Sequence, residues 1–464
     1  MHHLKKRIES VWNYLPAYFV LTFLIGSAII LFFSHPWWMF AVVKPVVSPY
    51  TPVWEILIKK KLMVFYFVNL AASLIFLGAG SARNAKSPGP LRLAGFTLVH
   101  FWSLMWSCAL EDVGDGAQYR SLMEQNVVWL SEPLAMLLFK LTYRVWAGAL
   151  MYLPCVFGVL TVLSLIRLGK VLGRYFGHEN PIPLLLLTYV LSISPIFFIR
   201  NYVENTQLGY PVFILSIAWF LQFIATGKGL TWAIALWGLD FIIHGSGFVM
   251  TPLIPMGLFF YRSRIKKSVW LQGAAGVILI AAMAAGIYGF CRYKGYEIQV
   301  GNADGSSNHT LMIPWSGDEA FRLRTYRQFW LFGWMHMAEV AQIVLFCGAW
   351  IPGVFFFHLL RQLQIAEPSR RRYFADIQKA ITPQTELYYL LTAYSGYLGF
   401  SLFMDYALGF PKDSDIINVF SYLAGIIACS LIRVWEIPRT WVLVLGLCVC
   451  WLNCVLLYTP FSVK

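Results

Sequence analysis

Leu93-Ala-Gly-Phe-Thr-Leu-Val-His-Phe-Trp-Ser-Leu-Met-Trp-Ser-Cys-Ala-Leu110 runs straight into Glu111-Asp112-Val113-Gly114-Asp115-Gly116. Eighteen residues without a charge make a helix of about 27 Å, close to the hydrocarbon thickness of a bilayer. The three carboxylates that follow, broken by two glycines, have two readings. One is a solvated turn that ends a helix, since Asp-Gly is a common turn dipeptide. The other is a place where carboxylates handle a proton or a metal beside a lipid-borne substrate.

Runs like Leu93–Leu110 recur from end to end. Hydrophobic residues make up 59% of the 464 and charged residues 12%, against about 25% charged in a soluble domain. Mean hydropathy is +0.63. This composition predicts an all-α, polytopic transmembrane helical bundle of about thirteen spans. They fall near 17–34, 62–80, 93–110, 147–166, 183–199, 209–225, 229–244, 247–261, 269–290, 335–358, 387–404, 416–432 and 440–458. The net charge of +14 then reads as basic loops on the cytoplasmic side, not as a nucleic-acid surface. The chain opens Met1-His-His-Leu-Lys-Lys-Arg7 before an apolar run from Ala17, which reads as an uncleaved anchor with its basic end in the cytoplasm.

With the N-terminus inside and the spans alternating, twenty-one of the 36 basic residues fall on the inner side. They include Arg83, Lys86, Arg167, Lys170, Arg174, Arg262, Arg264, Lys266, Lys267 and Arg370-Arg371-Arg372. Only six of the 22 acids do so, namely Glu9, Glu179, Glu367, Asp376, Glu386 and Glu436. Lys59-Lys60-Lys61 is an exception, unless 36–58 re-enters the membrane. The eight cysteines include no CxxC pair and no Cys/His ligand spacing, so they read as small residues in membrane helices.

Four segments are expected on the outer face. In 111–146 the acidic turn precedes Ser131-Glu132-Pro133. The stretch Leu134–Trp146 follows, with Lys140 and Arg144 four apart and apolar residues on its other faces, which predicts an amphipathic helix lying in the interface. The others are the polar hairpin Arg200–Asn205, the turn-rich loop 291–330 and Asp405–Asp415.

This layout resembles the GT-C class of membrane glycosyltransferases, which take a sugar from a polyprenyl phosphate or pyrophosphate carrier. The resemblance rests on Glu111, Asp112 and Asp115 directly after a span, on interfacial helices over roughly 121–146, on the later hairpin Arg200–Asn205 and on the longer outer loop beyond it. The acidic loop follows the third span, so 1–92 reads as extra N-terminal spans. The core is then 93–290 with its acidic outer loop 111–146, followed by the outer loop 291–330 and the C-terminal spans 331–464. The resemblance implies a lipid-linked sugar donor, inversion at the anomeric centre, and a glycan, lipid or protein acceptor. No soluble appendage is evident, which favours a bacterial inner membrane.

The chemistry is consistent with those residue types. Transfer to a hydroxyl needs a base, and a carboxylate near a low-dielectric boundary can be raised toward neutrality to serve as one. Negative charge beside the sugar favours an oxocarbenium-like transition state. A lipid-phosphate leaving group needs only a cation to hold it, which arginine or a divalent metal (Mg or Mn) supplies. The catalytic candidates are Asp112 and Asp115, then Glu111. The substrate-binding candidates are Arg200, Glu204, Asp240, His244, His336 and Arg322; no metal ligands are assigned. Each has a structural alternative. Arg200 and Glu204 are spaced to pair with each other, as are Asp240 with His244 and His336 with Glu339, and Arg322, Arg324 and Arg327 can be a solvated face. Asp240 lies within an apolar run, where acids are costly. His100, also within one, is expected to be buried and bonded to a neighbouring helix.

Two other functions fit parts of the pattern. A secondary transporter or lipid flippase would place acids and broken helices at the membrane midplane, and Asp240 and the short spans 229–261 suit it. A ligase or polymerase of lipid-linked glycans would also work at the outer face.

Overall fold

The structure is a computed structural model, and it describes residues 52–78, 88–107, 123–130, 132–146, 150, 152–192, 206–243, 251, 253–260, 266–299, 316, 332–334, 336–337, 340–341, 344, 348–363, 385–403, 419–435, 437 and 439–458. These residues are mostly helical. The helices are α1 (Pro52–Leu77), α2 (Pro90–Ser107), α3 (Pro133–Val145), α4 (Leu153–Tyr175), α5 (Pro181–Val190), α6 (Thr206–Thr226), α7 (Leu230–Ile243), α8 (Leu253–Phe260), α9 (Lys267–Lys294), α10 (Trp350–Leu363), α11 (Thr385–Phe403), α12 (Val419–Val434) and α13 (Arg439–Tyr458). Two three-residue strands, β1 (Val127–Trp129) and β2 (Glu297–Gln299), pair in parallel.

Among the described residues, three helices are long and apolar enough to cross a membrane: Leu153–Tyr175, Leu208–Thr226 and Lys267–Lys294. Apolar helix at Val64–Leu77, Pro181–Val190, Leu230–Ile243, Ser421–Val434 and Trp441–Cys450 is shorter. The expected spans 229–244 and 247–261 correspond to two helices, α7 and α8. The expected run 335–358 is interrupted by a turn at Gly348 and Ala349, and α10 starts at Trp350.

The starts and stops follow local chemistry. Proline opens α1, α2, α3 and α5 and stands second in α4, where its missing N–H costs no helical bond. At the end of α9, Gly295 takes φ 68°, a left-handed conformation suited to glycine. The Gly295 and Tyr296 amides then donate to the carbonyls of Arg292 and Cys291. That turn sends Tyr296 and β2 back over the bundle.

A continuous core runs from Phe65 on α1 to Val449 on α13 and draws on α2, α4, α5, α6, α7, α9, α10, α11 and α12 as well. Within it lies a polar network. Asn69 Nδ2 donates to Ser103 Oγ at 2.8 Å and to the Phe65 carbonyl. Asn69 Oδ1 faces His100 Nδ1 at 2.8 Å, so that nitrogen carries the proton, and His100 Nε2 accepts from the Tyr189 hydroxyl at 3.2 Å. His100 is thus the buried, helix-bonded histidine expected from its apolar run.

The two ends of the α4, α6, α7 and α9 group are built differently. At one end, Gln272 on α9 clasps the α6–α7 connection. Its Oε1 accepts from the Gly229 and Leu230 amides and its Nε2 donates to the Gly227 carbonyl. Arg167 on α4 donates to Gln222 on α6 and lies 4.8 Å from the Trp219 ring centroid at this same end. The opposite end carries a second apolar core. It joins the start of α4 (Leu153, Phe157) and of α6 (Leu208, Val212) to the ends of α7 (Leu239, Ile243) and α9 (Ile287, Phe290, Cys291). Met136 and Phe139 of α3, Val128 and Trp129 of β1, and Tyr296 complete it. Helices α4 and α6 therefore run in one direction and α7 and α9 in the other, and α3 packs at their second end.

Candidate functional site

The second end is where candidate side chains gather. The strand pairing is the tie: Val127, Val128 and Trp129 stand opposite Glu297, Ile298 and Gln299. The Leu130 amide donates to the Gln299 carbonyl at 2.8 Å and the Glu297 amide to the Asn126 carbonyl at 2.7 Å. The segment after α2 and the segment after α9, 170 residues apart, form one surface.

Asp240 sits one turn before the end of α7 and is buried, with 7% of its surface exposed. It faces α6 at Gly209. A Cβ placed on Gly209 would stand 2.5 Å from Asp240 Oδ1, closer than real Cβ contacts come. Gly209 lies in the first turn of α6, where unpaired amides favour negative charge. Pro211, two residues on, leaves the Gln207 carbonyl without its helical donor. Among the described residues the Asp240 carboxylate has no hydrogen bond or ion pair, an unusual state for a buried acid.

Helix α3 contributes cations. Lys140 is wholly buried, and its Nζ donates to the Gln125 carbonyl at 2.7 Å. This differs from the expectation for a surface-lying amphipathic helix, in which Lys140 and Arg144 share a wet face. The cause is the loop before β1, which folds over Lys140 and supplies the carbonyl. Burial, and next the positive charge of Arg144, pull the Lys140 ammonium down to about 8. Arg144 is exposed. The two cations share one ring: Lys140 Nζ lies 5.6 Å and Arg144 Cζ 5.3 Å from the Tyr296 centroid. Beside them the Tyr143 hydroxyl donates to Glu124 Oε1 at 2.9 Å.

Of the residues singled out in the sequence, Glu111, Asp112, Asp115, Arg200, Glu204, His244, Arg322, Arg324, Arg327 and Glu339 lie outside the described residues. His336 is buried. Gly209 and Tyr296 carry no sequence signal of their own; both matter through contacts with helices distant in sequence. Among the described residues no three His, Cys, Asp or Glu side chains converge as a metal would require. No family model, curated protein or solved structure matches this chain.

Proposed function

We propose that this chain is a polytopic membrane protein of GT-C-like architecture that moves a sugar from a polyprenyl-phosphate carrier to a glycan, lipid or protein acceptor at the outer face. In this reading about thirteen spans cross a bacterial inner membrane, with the N-terminus in the cytoplasm. Helix α9 supports a lipid setting: 28 residues make about 42 Å of helix, and only 11% of its apolar stretch is buried, against 61% and 72% for the other two long helices. An apolar shaft left so bare suits acyl chains, not water.

The observation that carries the functional reading is the gathering at one end of the bundle. The interfacial helix α3, the end of α9, the β1–β2 tie and the buried Asp240 meet there. The charge pattern assigns that end to the outer side, and the Gln272 and Arg167 end to the inner side. Asp112 and Asp115 lie in sequence between α2 and β1 and are the catalytic acids of this reading. One of them takes the acceptor proton, while basic side chains hold the departing lipid phosphate. A divalent metal is compatible with the same acids, and no step here depends on one.

The test is Asp112→Asn and Asp115→Asn in membranes supplied with labelled lipid-phosphate sugars. Loss of transfer by at least about 100-fold in one of them is expected from the contribution of a general base. Full transfer in both variants would sink the carboxylate-base mechanism.

Asp240 favours a second reading, a secondary transporter or lipid flippase, because a buried acid within an apolar helix, here without a partner among the described residues, is a common element of ion coupling. Proton- or sodium-driven uptake in proteoliposomes, abolished by Asp240→Asn, would select it. Ligation or polymerisation of lipid-linked glycans shares the outer surface, and product size in the transfer assay separates it from single-sugar transfer.

A further inference from the structure

Burying a charge without a partner is costly, and an acid inside an apolar span is a functional group by default. Asp240 is 7% exposed, and its carboxylate makes no hydrogen bond or ion pair among the described residues. Its own helix offers no partner, because Leu230–Ile243 holds no other titratable side chain. The helices packed against that end of α7 carry polar groups that do not reach it. Tyr210 follows Gly209 on α6, Cys291, Arg292 and Lys294 lie at the end of α9, and α3 carries Lys140, Tyr143 and Arg144. None of them bonds to or pairs with Asp240. Lys140 gives an N–H to the Gln125 carbonyl, Arg292 gives one to the Tyr288 hydroxyl, and Tyr143 donates to Glu124.

Two helix ends meet at the carboxylate. Helix α7 ends at Ile243, three residues on, and a helix end leaves its last four carbonyls without intrahelical donors. The negative end of the α7 dipole therefore lies beside the acid. The first turn of α6 faces it at Gly209, and the positive end of that dipole offsets only part of the cost of a buried charge. The carboxylate still calls for a single positive charge. A divalent ion calls for further acidic ligands, and among the described residues no three His, Cys, Asp or Glu side chains converge.

We propose that Asp240, with the last turn of α7 and Gly209 of α6, forms a binding site for one monovalent cation, a proton or a sodium ion. A carboxylate and helix-terminal carbonyls at a break between short apolar helices are the ligands that such ions take inside a membrane. Helix α7 has 14 residues and α8 has eight, so neither is long enough to cross a bilayer alone. Glycine at 209 lets the carboxylate lie against α6, since a Cβ there would stand 2.5 Å from Asp240 Oδ1. The site deepens the transporter reading and rests on the same acid, but binding requires no transport.

Binding of radioactive sodium to the full chain in detergent micelles is measured by scintillation proximity, with choline chloride holding the ionic strength constant. Melting is followed in parallel between about pH 5 and 8, below the range in which Lys140 loses its proton. For a sodium site, the wild type is expected to bind saturably, Asp240→Asn to lose binding, and Gly209→Ala to bind at least about tenfold more weakly, because its Cβ crowds the carboxylate. For a proton site, no sodium binds, and the wild-type melting temperature falls relative to that of Asp240→Asn as the pH rises. Asp240→Asn keeps the shape of the side chain, and a cooperative melt shows that it is folded. Gly209→Ala keeps the acid and tests the same place from the neighbouring helix. Ion binding without ion-driven uptake in proteoliposomes keeps the site and ends the transporter reading. Equal sodium binding by all three proteins overturns the proposal, as does the absence of both sodium binding and a pH-dependent difference between wild type and Asp240→Asn.

Discussion

Gly209→Ala is expected to destabilise this protein although alanine is the better helix former. In an ordinary helix the exchange gains up to about 1 kcal/mol. Here the new Cβ would stand 2.5 Å from Asp240 Oδ1 and 3.7 Å from its Cγ. The carboxylate sits on the buried face of α7 and cannot swing into solvent. Overpacking of this kind costs about 1–3 kcal/mol, so the net change is about 0–2 kcal/mol of destabilisation. Asp240→Ala behaves in the opposite way. It removes a buried acid that has no partner among the described residues, and is expected to raise stability while lowering activity, as a residue kept for function does. In that background Gly209→Ala recovers its ordinary gain. The double-mutant cycle therefore carries a coupling of about 1–3 kcal/mol. Unfolding of the four proteins in micelles, followed by far-ultraviolet circular dichroism, measures it. If Gly209→Ala stabilises both backgrounds equally, Asp240 does not face α6 at Gly209, and the geometry of the candidate site is wrong.

Lys140 makes stability depend on alkaline pH. Its folded-state value, about 8, lies below the ordinary 10.5, so the folded state bears a penalty while the lysine is charged. That penalty is fully present below pH 8 and is relieved as pH rises from about 8 to 10.5. Stability should rise across that window by at most about 3 kcal/mol, and a Lys140→Met protein measured in parallel should lack the rise. Asn69→Leu strips His100 of its acceptor and Ser103 of a donor inside the core, at about 1–3 kcal/mol for each buried group left unpaired. The triple variant Asn69→Leu, His100→Phe, Ser103→Ala should recover part of that loss, and a triple variant less stable than Asn69→Leu alone would contradict the network.

The helices were legible where local signals suffice. The run Leu230–Ile243 became α7 almost to the residue, and Ser131-Glu132-Pro133 marked the start of α3, because apolar length and proline placement act within a few residues. Lys140 was legible as part of a short amphipathic helix but not as a buried group. Its spacing from Arg144 says which side chains share a helix face, and nothing about a loop that folds over one of them. The turn at Gly348–Ala349 inside an apolar run was likewise hidden, since hydropathy does not distinguish one helix from two.

Composition alone established an apolar, helix-dominated chain. Burial of apolar surface and helical spacing are additive along the chain and can be summed from residues one at a time. Only the tertiary structure decided that the residues after α2 pair with those after α9, that Asp240 faces a glycine on the neighbouring helix, and that Tyr296 lies under two cations. Those three facts depend on backbones 170, 31 and about 150 residues apart coming within a few ångströms, and such meetings are set by the packing of whole helices, not by any one stretch of sequence.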